Sequence, residues 1–569
     1  MWSRRRFIRL GLIAGAAGAG GITLDHVLPL APGRAGAALS ARERAILRAL
    51  GRRLLVGSAR GFPDPSEIGT VGFIDRFLAG AERAVQDDVH TCIQAVEHMT
   101  PLSGIGIRPF TKLDEDDQER YLDWLETSSA DTPRTIFAAL KSLAAMGYYR
   151  HPRTWALIGY SGPVAPRGWD VYGGRRPSPR LSRASKGALE TDVVVIGTGA
   201  GGMMMAAEIA SAGKTVIALE EGEHLDHRDF SQREEEMVAA LFQERGGRAT
   251  EDLSVRIMQG RGVGGSTVHN TNLCKRAPAE ILDQWESELR LDGLGARAMS
   301  ADYAAVEREL GVVPIPADQV NRNNAILRDG ARALGWRTAR LSHNRQGCIG
   351  SGFCNLGCPF DAKQNGLKVL LPRALAGGAR VLPGAKAERI LFRGSRATGV
   401  VATVLDARGS RRGMLEIRAR AVCLAGSAIG SAEVALRSAL PDPHGHVGRH
   451  LHIHPAVAVA GIFDDPVEGW TGIPQSIECT EHLDFTPGAR DRTWLIPAFA
   501  HPIATATLTP GAGGEHAARM RDYARTAVVA AVLHDESEGS VRIEDGRLRI
   551  GYVLDAADRK ALARGVRAA

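Results

Sequence analysis

A glycine-rich turn between a strand and a helix constrains the fold of this chain more than any other feature. The apolar run Val193-Val-Val-Ile196 is followed at once by Gly197-Thr-Gly199-Ala-Gly-Gly202. In such a unit the first glycine permits a tight turn, the second lets the backbone approach a pyrophosphate, and the third lets the helix pack closely on the strand. A second apolar run, Thr215-Val-Ile-Ala-Leu219, ends at Glu220, where a carboxylate can accept hydrogen bonds from ribose hydroxyls. The pattern predicts a dinucleotide site and disfavours NADP, but it leaves FAD and NAD open.

Length and charge bound the remaining possibilities. A chain of 569 residues exceeds what one hydrophobic core supports and predicts two to four domains. The 71 basic and 64 acidic residues leave a net charge of +7, and the basic residues are spread along the chain. We therefore expect a mixed-charge surface and no nucleic-acid partner. Seven cysteines in this length exclude a disulfide scaffold.

Residues 1–38 have the pattern of an export signal. Ser3-Arg-Arg-Arg-Phe7 contains a twin arginine, a weakly apolar stretch rich in glycine and alanine follows from Leu10 to Leu24, and small residues surround Ala35-Gly-Ala37. Because the apolar stretch is short and glycine-rich for a membrane span of ~20 residues, the pattern favours a twin-arginine signal over an anchor. We expect the twin-arginine translocation machinery as a partner and a periplasmic or cell-envelope location, with membrane association left open.

Residues 40–165 have the pattern of a helical domain. Ser40-Ala-Arg-Glu43 is a capping box, Thr111-Lys-Leu-Asp114 repeats the device, and Thr132-Pro133 predicts a cap and a first-turn proline for the next helix. Residues 166–188 are rich in Pro, Gly, Arg and Ser and predict a linker.

Short words in this helical segment carry a family resemblance. They are Phe110-Thr-Lys-Leu113, Leu140-Lys-Ser-Leu143 and the closing Ile158-Gly-Tyr-Ser-Gly-Pro163. The segment resembles the small-subunit family of membrane-bound gluconate and FAD-dependent glucose dehydrogenases. In those enzymes the small subunit is a separate exported partner of a flavoprotein, so here it would be fused. An unrelated helical cap domain is the alternative.

A second glycine cluster, Gly260-Arg-Gly-Val-Gly264-Gly265-Ser266-Thr-Val-His-Asn270, follows the first. Its adjacent glycines let backbone approach a ligand, to which Ser266 and Asn270 can offer hydrogen bonds. The cluster resembles the first signature of the glucose-methanol-choline (GMC) oxidoreductases, which are FAD enzymes that oxidise alcohols. Val422-Cys-Leu-Ala425-Gly426 resembles the second signature, and Gly448-Arg-His-Leu451-His-Ile-His454-Pro455 is similar to the family's segment ending in His-Pro.

This resemblance implies an α/β fold with a FAD-binding, parallel, Rossmann-like sheet domain and a second, mostly antiparallel α+β substrate domain, preceded by the small helical domain. The FAD-binding domain would comprise residues 189–290 and 346–440, and the substrate domain 291–345 and 441–569. The resemblance implies that FAD is held by Gly197, Gly199, Gly202, Glu220, Gly260, Gly264, Gly265, Ser266, Asn270, Ala387, Ala425 and Gly426.

Three cysteines lie close together in Cys348-Ile-Gly-Ser-Gly-Phe-Cys354-Asn-Leu-Gly-Cys358-Pro359. The spacing resembles a ferredoxin cluster loop in which Ser351 stands where a further cysteine would be. Three thiolates suffice for a 3Fe–4S cluster, which FAD-dependent glucose dehydrogenases resembling this chain carry in such a loop, and a serine oxygen would complete a 4Fe–4S site. A structural loop, as in cholesterol-oxidase-like and long-chain alcohol oxidase members, remains open. So does zinc, which would need a fourth good ligand.

The resemblance implies hydride transfer from an alcohol carbon to flavin while a base takes the hydroxyl proton. The family's base is a histidine near the C-terminus in a His-Pro-x-Gly-Thr-like motif. This sequence has no such motif, so the catalytic residue is unassigned and we expect the C-terminal end to be missing. His534 lies too early to replace it. His269 is expected to pack, and His450, His452 and His454 to form a turn near FAD rather than a metal site.

Three functions follow from these patterns. The first is an exported FAD dehydrogenase that oxidises an alcohol, sugar or sterol and passes electrons to a cytochrome or quinone. The second is an oxygen-dependent oxidase of sterols or long-chain alcohols. The third is a catalytically inactive FAD-binding escort or assembly protein.

Overall fold

The computed structural model describes residues 36–81, 83–165, 180–486, 488–498 and 501–569. The predicted export signal, apart from its last residues, and most of the predicted linker lie outside the described residues. The chain divides into two compact units. Unit 1 comprises Met1–Gly162, Ala249–Arg256 and Ala500–Arg525, and unit 2 comprises Pro163–Arg248, Ile257–Phe499 and Thr526–Ala569. Within the described ranges, no helix combines the length and the apolar character that a bilayer crossing requires.

The helices and strands of the described residues are given in chain order. The helices are α1 (Ala41–Leu55), α2 (Thr70–Ala79), α3 (Arg83–His98), α4 (Thr100–Ser103), α5 (Glu115–Thr127), α6 (Asp131–Tyr149), α7 (Pro152–Ile158), α8 (Ala200–Ser211), α9 (Glu234–Leu241), α10 (Ala279–Ser287), α11 (Ala296–Glu309), α12 (Arg322–Ala333), α13 (Leu370–Ala376), α14 (Ser427–Arg437), α15 (Pro502–Leu508), α16 (Gly513–Arg521) and α17 (Ala556–Ala568). The strands are β1 (Gly187–Ile196), β2 (Val216–Glu220), β3 (Leu273–Cys274), β4 (Val312–Pro314), β5 (Thr338–Arg340), β6 (Ser342–Asn344), β7 (Arg380–Pro383), β8 (Ala385–Arg393), β9 (Arg396–Leu405), β10 (Arg411–Leu424), β11 (Ala456–Ile462), β12 (Ile477–Cys479), β13 (Thr493–Pro497), β14 (Thr526–Leu533), β15 (Ser540–Glu544) and β16 (Arg547–Gly551).

The helix starts of unit 1 agree with the sequence in one case and differ in two. The predicted capping box of α1 is present, because the Ser40 hydroxyl accepts from the Glu43 amide and the Glu43 carboxylate accepts from the Ser40 amide. The predicted Thr111 cap is wrong, since Asp114 caps α5 and the Thr111 hydroxyl donates to buried Glu97 instead. The predicted Thr132 cap is also wrong, because α6 begins at Asp131, two residues before the expected start at Pro133, and Ala130 precedes it without a side-chain cap.

Helix α6 is the central element of unit 1. It packs against α1, α2, α3 and α5, and also against α15, which belongs to the late segment of the chain inserted between β13 and β14. Buried Lys141 of α6 donates to the carbonyls of Thr509 and Gly511 at 2.5 and 2.7 Å. The Tyr149 hydroxyl lies 3.2 Å from Nε2 of His516 on α16. Two stretches far apart in sequence therefore share one helical core.

Unit 2 is built around a six-stranded sheet with the order β7-β2-β1-β10-β9-β8. The first four strands are parallel, whereas β9 and β8 continue from β10 as an antiparallel meander. Ile196 at the end of β1 is opposite Leu219 of β2 and Leu424 of β10. Because parallel strands end at one edge of a sheet, the residues that follow these three strands are brought together.

A second, antiparallel sheet has the order β11-β14-β13-β12-β5. A hydrophobic core lies against this sheet. It is formed by buried side chains of the strands together with Leu327 of α12 and Ala561 and Leu562 of α17. The predicted fold class, a Rossmann-like sheet with a mostly antiparallel second sheet and a helical part, is confirmed. The antiparallel meander on the first sheet was not predicted. Polar and apolar residues alternate in β8, β9 and β10 as in any half-buried strand, and the short turns between these strands set their direction.

Candidate dinucleotide-binding site

A cleft of about 470 Å³ lies at the carboxyl edge of the parallel strands in unit 2. Its walls come from the turn after β1, the end of β2, the second glycine cluster, the start of β8 and the turn after β10. The volume falls within the range of ~300–1,000 Å³ that is usual for ligand and cofactor sites. Segments far apart in sequence thus form one concave surface.

Ten of the twelve residues predicted to hold the cofactor line this cleft. They are Gly197, Gly199, Glu220, Gly260, Gly265, Ser266, Asn270, Ala387, Ala425 and Gly426. Gly202 and Gly264 do not line it, and they serve packing behind its wall. The structure therefore brings the predicted segments together, while contact of each residue with a cofactor stays a prediction.

Two glycines of the first turn are required by the backbone itself. Gly197 has φ of 97°, and a Cβ atom there would lie 2.5 Å from the Ala425 carbonyl oxygen. A Cβ atom at Gly202 would run into the carbonyl oxygen of Gly197. Only glycine lets α8 start this close to the end of β1, which aims the first amides of the helix at the cleft.

Glu220 ties three segments of the site together. One carboxylate oxygen accepts from the amide and hydroxyl of Thr198, at 3.3 and 2.7 Å, and the other accepts from the amides of Gly222 and Gly262, both at 3.0 Å. Glu220 is 7% exposed, and burial raises its pKa against the opposing effect of these hydrogen bonds. A carboxylate has about four acceptor positions, so ribose hydroxyls would share positions that the chain already uses.

Several charged and polar side chains of the cleft were missed from the sequence. The cleft is also lined by Thr198, Glu221, Gln243, Arg248, Gln259, Lys386, Ser427 and Glu433. Although burial acts to raise it, the charges of Lys386 and Arg261 hold the pKa of Glu221 below its usual range. Five of these residues adjoin predicted ones, namely Thr198, Glu221, Gln259, Lys386 and Ser427, whereas Gln243, Arg248 and Glu433 had no sequence signal.

Gln259 connects two walls of the cleft. Its side-chain oxygen accepts from Arg248 at 2.6 Å, and its nitrogen donates to the Ser427 hydroxyl at 2.6 Å. Ser427 has φ of 69°, an uncommon conformation for a residue other than glycine. Strained residues held by their surroundings are concentrated at functional sites, which agrees with this position at the cleft.

The histidines singled out by sequence lie outside the cleft lining. His269 is 5% exposed and packs on Phe242 with ring centroids 3.9 Å apart, and burial lowers its pKa to about 3. His450 and His454 have φ of 56° and 34°, so their segment is a turn rather than a strand. His534 is exposed beside Phe485.

The three cysteines of the loop border a separate, small cavity in unit 2. Cys348, Cys354 and Cys358 line a space of about 20 Å³ together with other residues, among them His343 and Arg345. Burial raises the pKa of the Cys354 thiol to about 12 and also raises that of Cys358.

As arranged, this cavity does not fit an iron–sulfur cluster. A space of this size holds about one water molecule. Among the side chains that the structure describes, no three His, Cys, Asp or Glu residues are grouped as a metal site. This arrangement gives no support to the cluster expected from the cysteine spacing, which stays a prediction.

Comparison with known proteins adds family information to this geometry. The GMC oxidoreductase model matches residues 238–456, the FAD binding domain model matches 192–233, and the gluconate 2-dehydrogenase subunit 3 model matches 41–162. Together these matches support FAD as the dinucleotide.

Individual relatives agree. An uncharacterized GMC-type oxidoreductase of Mycobacterium tuberculosis (strain ATCC 25618 / H37Rv) is 35% identical over 382 residues, which cover 65% of this chain and 58% of that protein. A long-chain-alcohol oxidase of Arabidopsis thaliana is 29% identical over 403 residues, covering 67% of this chain and 52% of that protein. The chain thus spans between about half and three fifths of the length of these relatives.

The fold is also similar to that of a solved structure. Pyridoxine 4-oxidase from Mesorbium loti aligns with a TM-score of 0.51 and 18% identity, over 66% of this chain and 79% of that one. The fold, the converging glycine turns and the sequence matches lead to one conclusion. The chain carries a gluconate 2-dehydrogenase subunit 3 domain ahead of a GMC oxidoreductase N-terminal domain, and it is similar to proteins named GMC-type oxidoreductases.

Proposed function

We propose that the cleft of unit 2 holds FAD and that the protein oxidises the CH–OH group of an alcohol, sugar or sterol. The observation that carries this proposal is the convergence of the turn after β1, the second glycine cluster and the Ala425–Gly426 turn on one cleft. Each of these segments presents backbone without a bulky side chain, as a dinucleotide site requires.

Different residues of the chain would bind different parts of FAD. The amides at the start of α8, next to Gly199, would hold the pyrophosphate, and the acidic pair Glu220 and Glu221 would face the ribose. Residues Ala385–Ala387 would flank the adenine through their backbone. When bound, FAD would supply the hydride acceptor for the alcohol carbon.

We propose a non-oxygen electron acceptor, such as a cytochrome or quinone, as the first candidate. The match of residues 41–162 to gluconate 2-dehydrogenase subunit 3 supports a dehydrogenase. The twin arginine in Ser3-Arg-Arg-Arg-Phe7 supports export by the twin-arginine route to the periplasm or cell envelope. An oxygen-dependent oxidase of long-chain alcohols or sterols is the second candidate, supported by relatives named long-chain-alcohol oxidases. An inactive FAD-binding escort protein is the third.

An anaerobic absorption experiment tests the proposal and separates the candidates. The purified full chain is saturated with FAD and mixed with an aldose, a sterol or a long-chain primary alcohol, and bleaching of the flavin band near ~450 nm is recorded. Bleaching that a quinone reverses and oxygen does not would support the dehydrogenase, and the opposite would support the oxidase. Bound flavin that no donor bleaches would support the escort protein.

A pair of glycine variants controls this experiment. Gly197→Ala places a side chain on a left-handed residue against the Ala425 carbonyl, whereas Gly394→Ala is equally left-handed but meets no atom within 4 Å. We expect only Gly197→Ala to lose flavin. Failure of the unaltered chain to bind FAD at all would overturn the proposed function.

We keep an iron–sulfur cluster at Cys348, Cys354 and Cys358 as a separate proposal, supported by their spacing alone. Iron and acid-labile sulfide analysis, with EPR of the oxidised protein, tests it. Protein that contains flavin but neither iron nor sulfide would refute the cluster without affecting the FAD proposal.

A further inference from the structure

The cysteine loop is closed at its base by a short antiparallel bridge. Arg345 pairs with Lys363, and two backbone hydrogen bonds flank the pair, from Gln346 to Ala362 at 2.8 Å and from Gln364 to Asn344 at 3.1 Å. The residues between Arg345 and Lys363, including the three cysteines, form one closed loop. Lys363 stands where this loop rejoins the body of unit 2.

The Lys363 ammonium is buried, and all three of its N–H groups donate to backbone carbonyls. Nζ donates to Val268 at 3.0 Å, Asn270 at 2.6 Å and Cys354 at 3.0 Å, and the residue is 2% exposed. Three carbonyl acceptors require three N–H donors, which only the charged form of lysine provides. In the described part of the chain, no carboxylate is among the groups that act on this ammonium.

The three acceptors belong to two different places. Asn270 lines the cleft and Val268 is buried just before it, whereas Cys354 borders the small cysteine cavity. A buried charge is costly unless its hydrogen bonds are satisfied, so the ammonium holds these carbonyls in one arrangement. If the Cys354 carbonyl moved, the ammonium would either lose its hydrogen bonds to Val268 and Asn270 or move those two carbonyls with it.

We propose that Lys363 is a positioning residue that couples the cysteine loop to the FAD cleft. Through it, FAD binding restrains Cys354, and modification of the Cys354 thiol weakens FAD binding. The inference rests on the proposed function, because it takes FAD as the occupant of the cleft. Reciprocity holds for binding free energies and not for rates, so the effect on the alkylation rate and the effect on FAD affinity are measured separately.

Alkylation with iodoacetamide provides a defined probe of the loop. The Cys354 sulfur forms a bond to the acetamide carbon, the carbon–iodine bond breaks, and iodide leaves while the thiol proton goes to buffer. Alkylation of each cysteine in the full-length protein is followed by peptide mass spectrometry, with and without FAD. Fully buried Cys479, in the second sheet, reports general opening of unit 2.

The variants are chosen to separate coupling from loss of a charge. Lys363→Met removes the ammonium, and Lys363→Gln keeps a donor in case the first variant does not fold. The matched control is Lys368→Met, since Lys368 pairs with Asp361 of the same loop and its ammonium contacts nothing in the cleft. FAD affinity is measured by flavin fluorescence.

In the unaltered protein we expect FAD to slow Cys354 alkylation about tenfold without protecting Cys479. Independently, we expect alkylation of Cys354 to weaken FAD binding about tenfold, within the usual range of coupling between two sites. Lys363→Met should bring both ratios to about one, whereas Lys368→Met should keep them. Coupling that survives in Lys363→Met and Lys363→Gln, or that is lost equally in Lys368→Met, would overturn the proposal.

The flavin-free protein gives an independent result. If the unaltered chain does not bind FAD, the proposed function fails, yet the restraint on the loop is still measurable. Lys363→Met should then raise the alkylation rate of Cys354 above that of Lys368→Met while leaving Cys479 unchanged. Equal Cys354 rates in the two variants would refute the role of Lys363 on this side as well.

Discussion

Replacing Gly260 by alanine would test whether the cleft depends on close backbone approach. Gly260 lines the cleft, and a Cβ atom there would lie 2.5 Å from the Ser266 amide nitrogen and 2.8 Å from Nε2 of His269. Its φ is not in the left-handed region, so alanine would suffer no backbone strain. The substitution therefore isolates steric contact between two segments of the site.

The expected cost follows from these distances. Non-bonded carbon and polar atoms come no closer than ~3.3 Å, so the second glycine cluster must move by roughly 0.8 Å. Overpacking of this kind costs about 1–3 kcal/mol. Each 1.4 kcal/mol changes a dissociation constant about tenfold. If the strain is relieved by distortion of the cleft, we therefore expect FAD affinity to fall about 5- to 140-fold.

The assay is a fluorescence titration with FAD, together with thermal unfolding of the flavin-free protein. Gly469→Ala is the control, because its Cβ atom would make only ordinary contacts at 3.8 Å in the same unit. A Gly260→Ala protein that binds FAD as tightly and unfolds at the same temperature as Gly469→Ala would refute the reasoning.

Four further changes have expected outcomes. In Glu220→Gln an amide nitrogen replaces one carboxylate oxygen, so a hydrogen-bond donor would face the donors that Glu220 now accepts from. FAD affinity should fall about tenfold or more, as measured by equilibrium dialysis. Ser40→Ala removes the capping box of α1 and should cost about 1 kcal/mol in urea unfolding. Asp558→Ala leaves buried Arg492 without its 2.6 Å partner and should cost about 3–5 kcal/mol, as followed by circular dichroism in urea. Burial lowers the pKa of His516 to about 3, below the ~6.5 of an exposed histidine, so the unfolded state binds more protons between these values and stability falls as the pH falls through this window. His516→Gln should reduce that slope by about one proton, or ~1.4 kcal/mol per pH unit, in unfolding measured from pH 7 to 4.

The sequence predicted those parts of the site that local backbone geometry demands. Gly197 and Gly202 are required where a helix starts close behind a strand, and this requirement shows as a short pattern. The cap at Ser40 was predicted for the same reason, since its partners lie within three residues. Thr111 shows the limit of such patterns, because a distant carboxylate competed for its hydroxyl.

The polar side chains of the cleft were beyond these patterns. Gln243 and Arg248 reach the cleft from a segment between the two glycine motifs that has no recognisable signature. Their positions depend on how that segment folds back on β2 and α14. The cysteine loop is a similar case, since its spacing suggested a cluster and the packed cavity has room for about one water molecule.

By itself, the sequence determined the strand–turn–helix unit at Gly197, the acidic end of β2, the second glycine cluster and the Rossmann-like character of the fold. These features are encoded within short windows, because glycine conformations and apolar periodicity are local requirements. Only the tertiary structure decided that residues 501–525 pack with the N-terminal helices and that Lys363 joins two carbonyls of the second glycine cluster to one of the cysteine loop. A buried charge has no local signature, because its partners are brought to it only when the whole chain has folded.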